Sequence, residues 1–115
     1  MINFACKEFD LEEIIRCNLN LTKTEFSIVK YLMKNNQEIF TAEEISKIFK
    51  IGLSTSQKAI KKINETELIK KGQKNLEKGG YIFVYSIKKK LVLKQKILDT
   101  IHNWIKKVEI ELKKW

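Results

Sequence analysis

The sequence predicts a mainly α-helical chain with one small β-hairpin and a long helix at its C-terminal end. Apolar residues recur at helical spacing in short segments before residue 66. Three of the four glycines, Gly72, Gly79 and Gly80, lie beside an alternating aromatic run, the mark of a hairpin. From Lys89 onward an apolar stripe continues with neither glycine nor proline to break it. The 115 residues allow one compact domain with a projecting element, and a 43% hydrophobic content excludes wholesale disorder.

Each element has its own signals. Leu11 to Cys17 is a short helix with Leu11, Ile14 and Ile15 on one face, interrupted by Asn18 and Asn20. Thr22 to Lys34 is a clearer one. Thr22 and Glu25 make a capping box, and Phe26, Val29, Leu32 and Met33 follow at helical spacing until Asn35 and Asn36. Thr41 and Glu44 repeat that box ahead of Ile45, Ile48 and Phe49, the expected buried face of a helix ending near Lys50, and Gly52 breaks the chain. Ser54 to Thr66 is the next helix. Ser54 with Gln57 reads as a third capping box, and Ala59, Ile60 and Ile63 form the apolar stripe. Thr55, Ser56, Lys58, Lys61 and Lys62 are expected elsewhere on that cylinder. Two short helices about four residues apart have helix-turn-helix spacing.

The period then changes. Leu68 to Lys71 and Tyr81 to Ile87 are strand-like, and the lysine-bearing loop Gln73 to Gly80 joins them. The terminal helix carries Ile97, Ile101, Trp104, Val108, Leu112 and Trp115 in steps of three or four, widened by Leu98 and Ile105. A helix of this reach is roughly 35–40 Å long, more than the preceding small domain covers. Its surplus apolar face calls for a partner, and Trp104 and Trp115 read as packing anchors.

The formal net charge is +9, from 23 Lys+Arg against 14 Asp+Glu. Residues 1–53 carry 7 basic and 8 acidic side chains, whereas residues 54–90 carry 10 and 3, a net +7. Such concentration is the footprint expected of a polyanion binder. Base contacts suit short polar side chains near a helix N-terminus, here Thr55, Ser56 and Gln57. Gln57 can pair bidentately with adenine, while Lys58, Lys61 and Lys62 line the groove wall and Lys71, Lys74 and Lys78 serve the hairpin.

Other classes find little support. The chain has no glycine-rich phosphate loop, no nucleophile with a base signature and no His/Cys metal set, so no enzyme, cofactor or metal is expected. Cys6 and Cys17 are separated by ten residues, neither a metal nor a redoxin spacing, and read as buried or incidental thiols. The lone His102 reads as a surface residue. No run of about 18 apolar residues occurs, and Met1 to Asp10 has no signal-peptide pattern, so a cytoplasmic protein without membrane association is expected.

Helix, helix, helix, hairpin and long helix is the order of a winged helix-turn-helix with a C-terminal dimerisation helix. The segment Leu21-Thr22-Lys23-Thr24-Glu25-Phe26 through Leu32 resembles the first helix of MarR/TrmB-type regulators of archaea and bacteria. Thr41-Ala42-Glu43-Glu44-Ile45-Ser46 is similar to their second helix, and Ser54-Thr55-Ser56-Gln57-Lys58-Ala59-Ile60 to the start of their recognition helix. Leu68-Ile69-Lys70-Lys71 and Gly79-Gly80-Tyr81-Ile82-Phe83-Val84-Tyr85 resemble the wing strands. The resemblance covers about residues 19–87. It implies sequence-specific binding of double-stranded DNA as a homodimer, and transcriptional control.

The expected organisation follows. Residues 1–88 form the DNA-binding domain, with 1–20 an N-terminal extension, and residues 89–115 form the dimerisation helix. Helix 54–66 enters the major groove, and the wing, residues 72–80, lies on the flanking backbone. Ile97, Ile101, Trp104, Ile105, Val108, Leu112 and Trp115 form the dimer interface.

The chain departs from the family pattern twice. Glu67 stands where a glycine often follows the recognition helix. A left-handed backbone there costs on the order of 1 kcal/mol without glycine, which points to a different turn. The wing also lacks arginine, so Lys74 and Lys78 act as point charges suited to phosphate. Two other readings fit the same residues: a winged-helix module that docks an acidic protein, and an RNA or single-strand binder using Tyr81, Phe83 and Tyr85.

Overall fold

The computed structural model describes residues 1–115. Its elements are β1 (Ile2–Phe4), β2 (Lys7–Phe9), α1 (Leu11–Asn18), α2 (Lys23–Lys34), α3 (Ala42–Phe49), α4 (Leu53–Glu65), β3 (Ile69–Asn75), β4 (Tyr81–Ile87) and α5 (Lys90–Lys113). The expected class, mainly α with a wing hairpin and a long C-terminal helix, is the one observed. The hairpin β1–β2, with Ile2 opposite Phe9, was not foreseen. Its three-residue strands are too short to show an alternating pattern.

Two of the predicted capping boxes form. The Thr22 hydroxyl accepts from the Glu25 N–H at 3.1 Å, and the Thr22 N–H donates to Glu25 Oε1 at 2.7 Å. Thr41 and Glu44 do the same at 3.1 and 3.0 Å. The third does not: α4 starts one residue earlier, its N-cap is Gly52, and no side chain caps it. Ser54 therefore lies inside the first turn.

One hydrophobic core of 14 buried residues joins α2, α3, α4 and the base of the wing, and reaches α5 at Leu93. Ile28, Val29 and Leu32 of α2, Ile45 of α3 and Ile60 and Ile63 of α4 meet Leu68 and Ile69 at the start of the wing. Met33 and Ile48, expected inside, are 43% and 39% exposed. Ile45 is buried as expected, and Ile28, which the helical stripe did not include, is fully buried as well. Tyr31 packs edge-on against both Phe40 and Phe49, with ring centroids 5.6 and 5.7 Å apart.

Strands β3 and β4 pair antiparallel from Ile69 opposite Ile87 to Asn75 opposite Tyr81. The ladder runs four residues further than the Leu68–Lys71 strand predicted, so the loop is confined to Leu76–Gly80. Gly79 and Gly80 supply its positive φ values of 91° and 80°. On the inner side, Phe40 exchanges two backbone hydrogen bonds with Tyr85, of 2.8 and 2.7 Å, and so ties the α2–α3 connection to the wing.

Glu67 turns the chain from α4 into β3, and the turn is left-handed after all, with φ 63°. The Glu67 carboxylate meets Lys96 of α5 in an ion pair, which holds the carboxyl below its ordinary range and the ammonium above its own. A side chain glycine lacks thus links this turn to the terminal helix. At its near end α5 joins the core through Leu93 and packs against α1. Its far end projects, and the molecule extends 63 × 26 × 24 Å.

Glu25 is the one charged residue of the core, at 9% exposure. Burial raises its carboxyl, but the Thr22 N–H and Lys62 Nζ, 3.1 Å away, outweigh that and hold its pKa below the ordinary 4.5. A carboxyl with a lowered folded-state pKa adds stability that is complete above 4.5 and lost as the pH falls through the folded value. Glu25→Gln is therefore expected to be less stable than wild type at neutral pH. The gap should close as the pH drops below 4.5 in urea titrations. A gap independent of pH would show that the charge of Glu25 contributes nothing.

Candidate nucleic-acid interface

Helix α4 buries Ser56, Ala59, Ile60 and Ile63, the i, i+3, i+4, i+7 stripe of a helix seated on a core. That stripe dictates which residues point away. Ser54, Lys58 and Lys61 stand at i, i+4 and i+7 on the opposite side, and all three are exposed. Thr55 and Gln57 are exposed on the flanks.

Two serines exchange the parts the sequence suggested. Ser56, expected to meet phosphate or a base edge, is fully buried, and its hydroxyl donates to the Ala42 carbonyl at 2.7 Å. It locks α4 to the start of α3 and has no path to a ligand. Ser54, expected to cap, stands free beside the lysines. The spacing 56, 59, 60, 63 was the signal available; a serine on that stripe reads as polar, so it was assigned outward.

Lys62 also leaves the outward set. It is half-buried and bound to Glu25 across the α2–α4 contact, as described above.

The start of α4 suits an anion. With Gly52 as N-cap and no side-chain acceptor, the first-turn N–H groups have no cap, and no acidic residue occupies that turn.

On the wing, register partners share a face. Lys71, Gln73 and Asn75 lie on the side of Tyr85, Phe83 and Tyr81, while Lys74 shares the other with Ile82. Lys71 Nζ sits 3.9 Å from the centroid of Phe83, which itself packs edge-on against Tyr81 at 5.3 Å. Lys78 lies in the turn and is exposed. The three wing lysines therefore divide among two faces and the tip.

Cys6 and Cys17 are both free and exposed, not buried. His102 is exposed on α5. No three His, Cys, Asp or Glu side chains come together in a manner that would hold a metal ion, and no helix is long and apolar enough to cross a membrane. Ile97 and Ile101 are half-buried, whereas Trp104, Ile105, Val108, Leu112 and Trp115 are exposed.

The buried hydroxyl makes a sharp expectation. Ser56→Ala removes this bond, while the Ala42 carbonyl keeps its helical partner, and should cost about 1 kcal/mol of stability in urea denaturation. Thr55→Ala, at an exposed position, should stay within about 0.5 kcal/mol. Equal stability of the two variants would show that the Ser56 bond holds nothing.

Comparison with known proteins places this geometry. Residues 10–108 match the DnaD N-terminal domain family. A possible transcriptional regulator from Methanosarcina mazei Go1 superposes with a TM-score of 0.89 at 36% identity, covering 100% of this chain and 96% of that one. ZitR of Lactococcus lactis, a zinc-responsive MarR family member, superposes with a TM-score of 0.50 at 29% identity, over 83% of this chain and 63% of its own. An uncharacterized protein of Methanocaldococcus jannaschii, MJ1503, is 22% identical over 118 residues, which span 96% of this chain and 88% of that protein. From the match over residues 10–108 and the shared arrangement of helices and wing, the chain belongs to the DnaD N-terminal domain family and carries the winged-helix fold of MarR-family regulators.

Proposed function

We propose that this protein is a transcriptional regulator that binds double-stranded DNA as a homodimer. Residues 1–88 serve as the DNA-binding domain and residues 89–115 as the dimerisation helix. The observation that carries this reading is the outer face of α4. Ser54, Lys58 and Lys61 form one exposed row beside an uncapped, acid-free helix start, in the segment that holds a net +7. Thr55 and Gln57 flank the row and supply base-edge contacts, while the lysines and the free N–H groups of the first turn take phosphate. Lys71, Lys74 and Lys78 place the wing on the flanking backbone. The 36% identity to the possible regulator from Methanosarcina mazei supports the same reading.

Dimerisation rests on α5. Trp104, Ile105, Val108, Leu112 and Trp115 leave apolar area in water that a single protomer does not cover, and Ile97 and Ile101 extend that stripe toward the domain. A two-fold pairing of α5 presents two copies of α4 to successive major grooves, about one helical turn apart.

Two measurements test this. A dimer that neutralises about 8 phosphates should lose duplex affinity with salt at a log–log slope near −7. Lys58→Ala removes two of those contacts per dimer, so the slope should become shallower by about 2. No duplex binding at low salt would refute the DNA reading and favour an acidic protein partner; stronger competition by single strands would favour the aromatic wing. Trp104→Lys, at a position 58% exposed in the protomer, should yield a folded monomer by light scattering. An unchanged dimer mass would place the interface elsewhere.

A further inference from the structure

We infer that the free edge of β4 docks an acidic, extended peptide segment of a partner protein, which adds to the wing as a further strand. The inference concerns the wing alone and stands whether or not α4 enters DNA.

The edge follows from the hydrogen bonds around it. Along a strand of an antiparallel ladder, successive residues alternate between bonding the neighbouring strand and facing away from it. At the two ends of β4, the Leu76 N–H donates to the Gly80 carbonyl and the Lys88 N–H to the Leu68 carbonyl. Even-numbered residues therefore bond toward β3, and Tyr81, Phe83 and Tyr85 aim their backbone groups the other way. Tyr85 spends both of its own on Phe40. That bridge is one residue long, because Thr41 caps α3 and carries the chain away from the sheet. Past it, the backbone N–H and C=O groups of Tyr81 and Phe83 meet no partner, and both residues are exposed.

Nothing on this strand protects the edge. Tyr81–Ile87 contains no charged residue, proline or glycine, whereas β3 carries Lys70, Lys71 and Lys74. Charges and prolines are what keep an open edge from pairing. An edge built from aromatic and β-branched residues without them suits strand addition.

Charge selects the occupant. Residues 69–87 hold Lys70, Lys71, Lys74 and Lys78 against Glu77, a net +3. The wing of a second copy brings the same charge and is repelled. Lys71 stands opposite Tyr85 in register, yet its Nζ lies over the Phe83 ring, so its ammonium reaches across to β4. An antiparallel strand added in line with Phe40 sets its residue opposite Phe83 on the face of Phe83 and Lys71. The neighbours of that residue fall on the face of Ile82 and Val84. The fitting sequence alternates acidic with apolar residues, and its acidic residues turn their amides toward β4.

Hydrogen exchange tests this at the residues concerned. In the free protein, the Tyr81 and Phe83 amides should exchange faster than those of Ile82 and Val84. A blocked hexapeptide of alternating glutamate and valine should slow Tyr81 and Phe83 by about tenfold at saturation. A lysine–valine hexapeptide should not. N-methylation of the glutamate amides should abolish binding, and N-methylation of the valine amides should leave it. Phe83→Pro removes an N–H that β3 does not use, so the wing should keep its ladder and lose the peptide. Lys71→Glu, at an exposed position, should cut the preference for the acidic peptide about tenfold. Failure of the acidic peptide to bind, or equal affinity for the basic one, would overturn the inference. So would binding that leaves Tyr81 and Phe83 exchanging as before.

Discussion

The seating of α4 is the constraint on which the rest depends. Ser56, Ala59, Ile60 and Ile63 commit one side of that helix to the core, and Ile60 and Ile63 are all but inaccessible to water. Once this side is fixed, helical geometry leaves no freedom for the other: Ser54, Lys58 and Lys61 must face outward. Two polar contacts hold the rotation where apolar packing alone tolerates slippage. The Ser56 hydroxyl fastens the start of α4 to Ala42, and Lys62 fastens its later turns to Glu25. The Glu25 carboxylate also caps α2, so one buried charge couples the start of one helix to the orientation of another.

The small core sets the limits of everything outside it. Its 14 hydrophobic residues unite α2, α3, α4 and the base of the wing, and they reach α5 only at Leu93. Three pieces extend past it: the N-terminal hairpin, the outer wing and the distal half of α5. Each keeps apolar side chains in water, from Phe4 through Phe83 to Trp104. Backbone pairing closes the two hairpins and intrahelical hydrogen bonds close the helix, but these bonds alone stabilise such short pieces only marginally in water. Their exposed surfaces are where partners have something to gain.

Much of this was legible in the residues. Thr22 with Glu25 and Thr41 with Glu44 mark helix starts because a capping box is a local, reciprocal bond between residues three apart. The glycines at 79 and 80 mark the wing turn because positive φ favours them. Legibility failed where a local signal competed with burial. Ser54 and Gln57 have the letters of a capping box, yet α4 begins a residue earlier, so Ser54 falls inside the helix. Glu67 resembles an obstacle to a left-handed turn, but the turn forms and its carboxylate finds Lys96, a residue 29 positions away.

By itself, then, the sequence determined the order of the five helices and the wing, two helix caps and the concentration of positive charge between residues 54 and 90. These depend on bonds between near neighbours, on periodicity or on composition. Only the tertiary structure decided that the Ser56 hydroxyl bonds the Ala42 carbonyl, that Lys62 belongs to Glu25, and that a hairpin at residues 2–9 stands beside α5. Those outcomes depend on contacts between residues far apart in the chain. No local pattern encodes such contacts, because the packing that makes them favourable exists only once the whole core has assembled.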